Sequence, residues 1–235
     1  MSSGIGLFFE RYKSSPFSID LNNPCLTRSK IAQNPEKMYL RLMKLVFATN
    51  NQNKIKEVQE LIPAHIRLLS LKDIGCHEEI PETQDTIAGN AIQKAQYIKT
   101  QYGFDCFADD TGLEVTALDG APGIYSARYA GPQRNAEDNM RKLLMNLKPF
   151  SDRSARFKTV IALFLNGQLH EFRGICKGSI TTGKAGDQGF GYDPIFKPDG
   201  YDLTFAQMDM GLKNNIGHRG KAVQQLIEFL KEVDF

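Results

Sequence analysis

After residue 43 the chain alternates between short apolar runs and segments in which apolar residues recur every three or four positions. The run at 43–49 has the length of a buried strand, and Ile55, Val58 and Ile62 share one face of the helix predicted after it. Strands and helices that alternate in this way are typical of an α/β domain, which is the fold class that the pattern predicts.

Local signals at element ends place the remaining elements. A second helix begins at Asp85 or Thr86, either of which can cap it, and ends at Gly103. The other predicted elements are a short strand at 106–108, a helix at 136–147, strands at 156–165 and 169–179 joined by a turn at 166–167, and a final helix at 221–233.

The first 42 residues differ in character from the rest of the chain. They contain three prolines and many Ser and Asn residues, and they show little apolar periodicity. We therefore expect residues 1–42 to be a non-catalytic, poorly ordered extension, and residues 43–235 to form the functional domain.

Composition excludes several classes of protein. The 29 basic and 27 acidic residues leave a net charge of +2 and no long polybasic surface, so we expect no nucleic-acid partner. The longest apolar run, at 159–165, is far shorter than the roughly 20 residues that cross a bilayer, so we expect no membrane partner. Four widely spaced cysteines without a CxxC pattern indicate neither a zinc site nor a disulfide framework, and they fit a reducing cytoplasm.

Two adjacent carboxylates, Asp109 and Asp110, follow the predicted strand at 106–108. If strand geometry persists, they point in opposite directions, so that one can face a cleft while the other braces the loop. Such hard oxygen ligands suit Mg²⁺, which commonly binds one or two carboxylates together with substrate phosphates. The alternative is a structural turn in which aspartates cap backbone N–H groups and Gly112 supplies a positive φ.

A polar loop lies between the first strand and the first helix. Its position at a helix N-terminus favours a phosphate, although an ordinary capping loop would have the same composition. It contains no glycine, so it matches neither a Walker A loop nor a dinucleotide-binding fingerprint. The loop consists of Thr49, Asn50, Asn51, Gln52, Asn53 and Lys54.

The segment at 189–194 combines two glycines, two aromatic rings and a carboxylate. A planar base could stack on Phe190 or Tyr192 while backbone groups and Asp193 contact its edge. The alternative is a structural turn that ends at Pro194.

A second basic and polar segment precedes the predicted final helix. Lys213 is a point charge suited to phosphate, Arg219 can make bidentate contacts, and His218 can donate a hydrogen bond to a base. A solvated surface His-Arg pair is the alternative interpretation.

Together these segments resemble, in order and spacing, the inosine triphosphate pyrophosphatase family. The resemblance covers residues 43–229. It implies a two-lobed α/β fold with an elongated mixed β-sheet flanked by helices, an active-site cleft between the lobes, and usually a homodimer. The motifs that carry it are FATNNQNK at 47–54, ADDTGL at 108–113, GAPGIYSARY at 120–129, GFGYDP at 189–194 and HRG at 218–220.

The resemblance also implies an activity, which is hydrolysis of non-canonical purine nucleoside triphosphates (ITP, dITP and XTP) to the monophosphate and pyrophosphate. It implies Mg²⁺ as cofactor, Asp110 as the general base and a metal-associated carboxylate, and Glu82 and Asp109 as further metal-linked acids. Residues 49–54 would hold phosphates, and Thr111 and Lys213 would contact the substrate. The base would be held by Phe190, Gly191, Tyr192, Asp193, His218 and Arg219.

The chain departs from the family pattern at two positions. Gly217 stands where many relatives have Ser before His-Arg, which would loosen base recognition. Gly89 stands where many have Glu, which removes a carboxylate from the acidic cluster. Two other functions remain open: a related pyrophosphatase that prefers modified pyrimidine or standard nucleotides, and a nucleotide-binding regulator without turnover.

Overall fold

The computed structural model describes residues 42–233, so the expected extension at 1–42 lies outside the described residues apart from Leu42. The strands are β1 Met43–Phe47, β2 Ile66–Leu69, β3 Cys106–Val115, β4 Pro122–Gly123, β5 Ser154–Leu165, β6 Gln168–Ile180 and β7 Phe196–Pro198. The helices are α1 Gln52–Gln59, α2 Ile87–Tyr102, α3 Ala136–Asn146, α4 Met210–Ile216 and α5 His218–Glu232.

One mixed sheet organises the described part of the chain, in the order β2-β1-β3-β5-β6-β7, with β4 paired to β3. Strand β1 runs parallel to both β2 and β3, whereas β3, β5, β6 and β7 pair antiparallel in succession. The predicted α/β class, with a mixed sheet flanked by helices, is therefore confirmed.

Helices cover both faces of the central strands. On one face α2 packs Ala91, Ala95 and Ile98 against residues of β3 and β5. On the other face α5 packs Leu226 and Ile227 against the alternate residues of the same strands. Because side chains alternate along a strand, successive residues at the start of β3 enter different cores, with Cys106 and Ala108 on the α2 face and Phe107 on the α5 face.

Several predicted element ends are confirmed by their capping contacts. The Thr86 side chain, rather than that of Asp85, accepts a hydrogen bond from the Gly89 backbone N–H and caps α2. Gly103 ends α2 in the left-handed region, with φ of 75°. The β5–β6 turn has positive φ at Asn166 and Gly167, as a tight hairpin turn requires.

Two boundary predictions are wrong. Strand β3 does not end in a turn after residue 108 but continues to Val115, because β5 pairs with it along its whole length. The last helix begins at His218 rather than at 221, and Lys213 belongs to α4, a helix that the sequence did not predict. The start at His218 had no sequence signal, since Gly217 caps α5 without a side chain.

Gly112 is a strand residue, and its role is close packing rather than a positive φ. A Cβ at this position would lie 2.7 Å from the carbonyl oxygen of Gly123 and 2.8 Å from Cδ1 of Ile87. The Gly123 carbonyl is backbone of β4, which is paired to β3, and Ile87 is buried in the core under α2, so the added methyl group would force a shift in a packed region.

We predict that Gly112→Ala lowers the free energy of unfolding by about 2 kcal/mol, because the added methyl group overpacks a filled interior. Urea unfolding checks this against Gly183→Ala, since a Cβ at Gly183 meets nothing within 4 Å and its φ is not positive. Equal stability of the two variants would contradict the packing role.

Candidate active site

A cleft of about 900 Å³ joins the four polar segments identified in the sequence. Two of the predicted site residues, Gln52 and Asp109, do not line this cleft. The predicted site residues that do line it are Thr49, Asn50, Asn51, Asn53, Lys54, Glu82, Asp110, Thr111, Phe190, Gly191, Tyr192, Asp193, Lys213, His218 and Arg219.

Asp109 lies on the α5 face of β3 and is 1% exposed. Its carboxylate oxygens accept hydrogen bonds from Lys54 Nζ and from Arg219 Nε, each at 2.9 Å. Burial alone would raise the pKa of Asp109, but the charges of Lys54 and Arg219 outweigh it and hold the pKa well below its usual range. Asp109 is therefore an ionised carboxylate that fixes two cations.

Asp110 points to the opposite face of the strand, toward α2, as the alternation of strand side chains requires. Its oxygens lie 3.6 Å from Lys94 Nζ and 3.4 Å from Asn90 Nδ2, which donates to it. Burial raises the pKa of Asp110, and the nearby charges of Lys94 and Lys54 oppose that rise without cancelling it. A carboxylate that is only partly neutralised and borders a cleft is suited to accept a proton.

Lys94 is a cleft residue that the sequence analysis missed. Its Nζ donates to Glu82 Oε1 at 2.5 Å and to the Asp109 carbonyl oxygen at 2.9 Å, so it links the acidic residues. A signal was present, since Lys94 lies next to Ala95 on the buried face of α2, where a charge requires a partner. Arg128 and Arg134 are further cleft cations that were not predicted.

No group of three or more His, Cys, Asp or Glu side chains within residues 42–233 is arranged to hold a metal ion by itself. Asp110 and Glu82 nevertheless converge on Lys94 at the cleft wall. Because Mg²⁺ commonly uses one or two carboxylates and completes its shell with water and phosphate oxygens, this pair fits a substrate-bound ion. Gly89, in the first turn of α2, contributes no third carboxylate.

The loop before α1 is a helix cap whose remaining polar groups face the cleft. Asn51 Oδ1 accepts hydrogen bonds from the backbone N–H groups of Asn53 and Lys54, at 3.0 and 3.3 Å. Thr49 Oγ1 accepts from the Asn51 N–H at 3.2 Å. The capping interpretation is thus confirmed, and it places Asn50 at the positive end of the helix.

A network of buried ion pairs holds the basic segment at 213–220 in place. Glu57, another residue that the sequence analysis missed, accepts from Lys213 Nζ at 2.6 Å and from Arg219 Nη1. Asp193 Oδ2 also accepts from Lys213, at 2.6 Å, and from the Phe190 N–H. The surface interpretation of the His-Arg pair is wrong, because Arg219 is 4% exposed.

Burial alone would raise the pKa of Glu57, but the charges of Arg219 and Lys213 outweigh burial and lower it below the ordinary value. Glu57 is therefore ionised at neutral pH and neutralises two cations at once. Since α1 carries Glu57 and the polar loop at 49–54 leads into α1, the network ties that loop to the basic segment.

Aromatic rings shape the other end of the cleft. The Phe190 ring centroid lies 5.1 Å from Lys213 Nζ and 5.6 Å from Arg219 Cζ, within the range of cation–π contacts. Tyr192 is buried and donates to the Ser126 carbonyl oxygen, so its hydroxyl is committed to the protein. Burial and the charge of Arg219 hold the pKa of His218 well below its usual range, so the ring is neutral at pH 7.

Comparisons with known proteins cover the part of the chain that carries the cleft. A sequence model of the Ham1 family matches residues 45–229. The dITP/XTP pyrophosphatase of Flavobacterium johnsoniae is 63% identical over 188 residues, spanning 80% of this chain and 98% of that protein. The protein of the same name from Porphyromonas gingivalis is 50% identical, spanning 80% and 97%. A solved HAM1 protein structure from Coxiella burnetii is 38% identical, covers 81% of this chain and all of its own, and has a TM-score of 0.76.

We predict that Glu57→Gln lowers the free energy of unfolding by about 3 kcal/mol at pH 7, because two buried cations lose their shared countercharge. The pKa of Glu57 is lowered by folding, so its ionised form stabilises the fold above its unfolded pKa of about 4.3. The difference from wild type therefore shrinks as pH falls below about 4.

Urea unfolding at several pH values measures this difference. Glu137→Gln is the matched control, because the Glu137–Lys184 pair is half exposed and its loss should lower the free energy of unfolding by at most about 1 kcal/mol. A loss for Glu57→Gln that stays constant from pH 7 to pH 3 would contradict the assignment of an ionised Glu57.

Proposed function

The chain belongs to the Ham1 family, as its sequence motifs predicted, and we propose that it hydrolyses ITP, dITP and XTP to the monophosphate and pyrophosphate. The observation that supports this activity most strongly is the single cleft that joins an acidic strand, a helix N-terminus and an aromatic segment. Those three parts match the metal-linked phosphates, the remaining phosphate charge and the planar base of a nucleoside triphosphate.

Attack on a phosphorus atom that carries several negative charges depends mainly on positioning and charge neutralisation. We propose that Asp110 orients the attacking water and accepts its proton, since its pKa is raised and its carboxylate borders the cleft. Lys94 and Lys54 lie on either side of the acidic strand and lower the cost of bringing phosphate there.

Asp110 and Glu82 would hold Mg²⁺, which would neutralise phosphate charge and acidify a bound water. We propose a different role for Asp109. Because both of its oxygens are taken by Lys54 and Arg219, it acts by fixing those cations rather than as a direct ligand.

Base recognition follows from hydrogen-bond donors at the aromatic end of the cleft. We propose that His218 and nearby groups donate to the 6-oxo group of hypoxanthine or xanthine. Adenine presents an amino donor at that position, and a buried donor facing it would stay unpaired. Guanine shares the oxo group, so its exclusion requires another contact near position 2.

The test is a panel of kcat/KM values for ITP, dITP, XTP, GTP, ATP and dUTP, measured by pyrophosphate release with Mg²⁺ and with EDTA. We expect the three proposed substrates to exceed ATP by roughly a hundredfold, and EDTA to abolish turnover. Asp110→Asn is the negative control, and turnover at the wild-type rate would remove Asp110 from its proposed role.

The same panel separates the other functions. Preference for dUTP or for standard nucleotides would indicate a related pyrophosphatase with a different base specificity. Saturable ITP binding without pyrophosphate release would indicate a nucleotide-binding regulator.

We also propose a homodimer in the cytoplasm, on the basis of the family resemblance and the widely spaced cysteines. Within the described residues, no helix is both long and apolar enough to cross a membrane. Sedimentation equilibrium tests the dimer, because a single 26.4 kDa species would contradict it.

A further inference from the structure

A chain of hydroxyl groups connects Arg219 to His218 beneath the base end of the cleft. Arg219 Nη2 donates to Thr111 Oγ1 at 3.2 Å. Thr111 Oγ1 lies 2.6 Å from Thr159 Oγ1, which in turn lies 2.7 Å from His218 Nδ1. Thr159 is fully buried, so water cannot replace its hydroxyl in this chain.

The sheet brings these residues together. Thr111 and Thr159 are directly paired in the antiparallel register of β3 and β5, so their side chains share the face that α5 covers. Gly174 is the neighbour of Thr159 on β6, and a Cβ at Gly174 would collide with the His218 carbonyl oxygen. The absence of a side chain at Gly174 therefore lets the first turn of α5 approach the sheet closely enough for His218 to reach Thr159.

Of the two possible directions of these hydrogen bonds, one gives every proton an acceptor within the chain of hydroxyl groups. A guanidinium can only donate, so Thr111 accepts from Arg219, and the Thr111 hydroxyl is free to donate to Thr159. The Thr159 hydroxyl then donates to His218 Nδ1, and every proton in the chain has an acceptor. The reverse direction leaves the Thr111 hydroxyl proton without a protein acceptor among residues 42–233.

We propose that Thr159 is a positioning residue that places the ring proton of His218 on Nε2 and so makes that nitrogen a donor toward the base. The role of this proton in base recognition rests on the proposed function, whereas its position on Nε2 does not. Within the described residues the His218 ring has one hydrogen bond, through Nδ1, and no buried side-chain nitrogen lacks a partner. Nε2 is therefore exposed to the cleft that His218 lines.

Two contacts hold the ring in this orientation. The Phe157 ring stacks on His218 with centroids 4.6 Å apart and an interplanar angle of 22°, which fixes the plane of the imidazole. The bond from Thr159 fixes its rotation within that plane. A donor at Nε2 suits a 6-oxo purine, whereas the reversed chain would present an acceptor that suits a 6-amino purine.

Nitrogen NMR of the protein labelled with ¹⁵N-histidine tests the position of the proton directly. The chain has four histidines, and the signal lost in His218→Gln assigns the relevant ring. We expect the wild type to be neutral at pH 7 with the proton on Nε2. A proton on Nδ1 would overturn the proposal, whatever nucleotide the protein hydrolyses.

Thr159→Val tests the consequence for specificity, because valine keeps the shape of threonine but cannot donate. We expect the share of the Nδ1-protonated form to rise and the ITP:ATP ratio of kcat/KM to fall about fivefold, the equivalent of one ordinary hydrogen bond. Thr159→Ser, which restores a hydroxyl, should keep both the wild-type proton position and the wild-type ratio.

Thr204→Val is the matched control. Thr204 is also a buried threonine, but its hydroxyl donates to the Ala185 carbonyl oxygen, so its loss should leave the ITP:ATP ratio unchanged. An unchanged ratio in Thr159→Val would overturn the proposal. A wild type without preference for ITP would instead contradict the proposed function, while the NMR measurement would still decide the position of the His218 proton.

Discussion

The carboxylate of Asp109 is buried in the middle of β3 and accepts hydrogen bonds from Lys54 on α1 and Arg219 on α5. Those two helices approach the sheet from different points of the chain, and neither cation could stay buried without a countercharge. Glu57 continues the same network by joining Arg219 to Lys213. The relative positions of the polar loop at 49–54 and the basic segment thus depend on buried charge pairing.

The alternation of side chains along β3 separates two tasks that adjacent aspartates could have shared. Asp109 is turned toward cations that neutralise it, whereas Asp110 is turned toward α2, where burial raises its pKa. One carboxylate is therefore fixed by cations, and the other is held in a less favourable environment, which suits the general base that we propose. A site whose charged groups are already held by partners needs little reorganisation when the substrate binds.

The features predicted correctly from the sequence are those that depend on residues close to one another in the chain. Apolar periodicity placed α1, α2, α3 and the β5–β6 hairpin, and all but two of the predicted site residues line the cleft. The predicted strand end at residue 108 was wrong because pairing with β5, which periodicity cannot report, extends β3 to Val115. Glu57 was missed because its partners are distant in sequence, with Arg219 lying 162 residues away. Lys94 was missed although its place on the buried face of α2 was a usable signal.

The most direct test of this account compares the free energies of unfolding of Asp109→Asn and Asp110→Asn. We expect Asp109→Asn to lose about 3 kcal/mol, because it leaves two buried cations without their shared partner. Asp110→Asn should unfold within about 1 kcal/mol of wild type or be more stable, since it removes a carboxylate that burial disfavours. Equal losses in the two variants would contradict the division of roles between the two faces of β3.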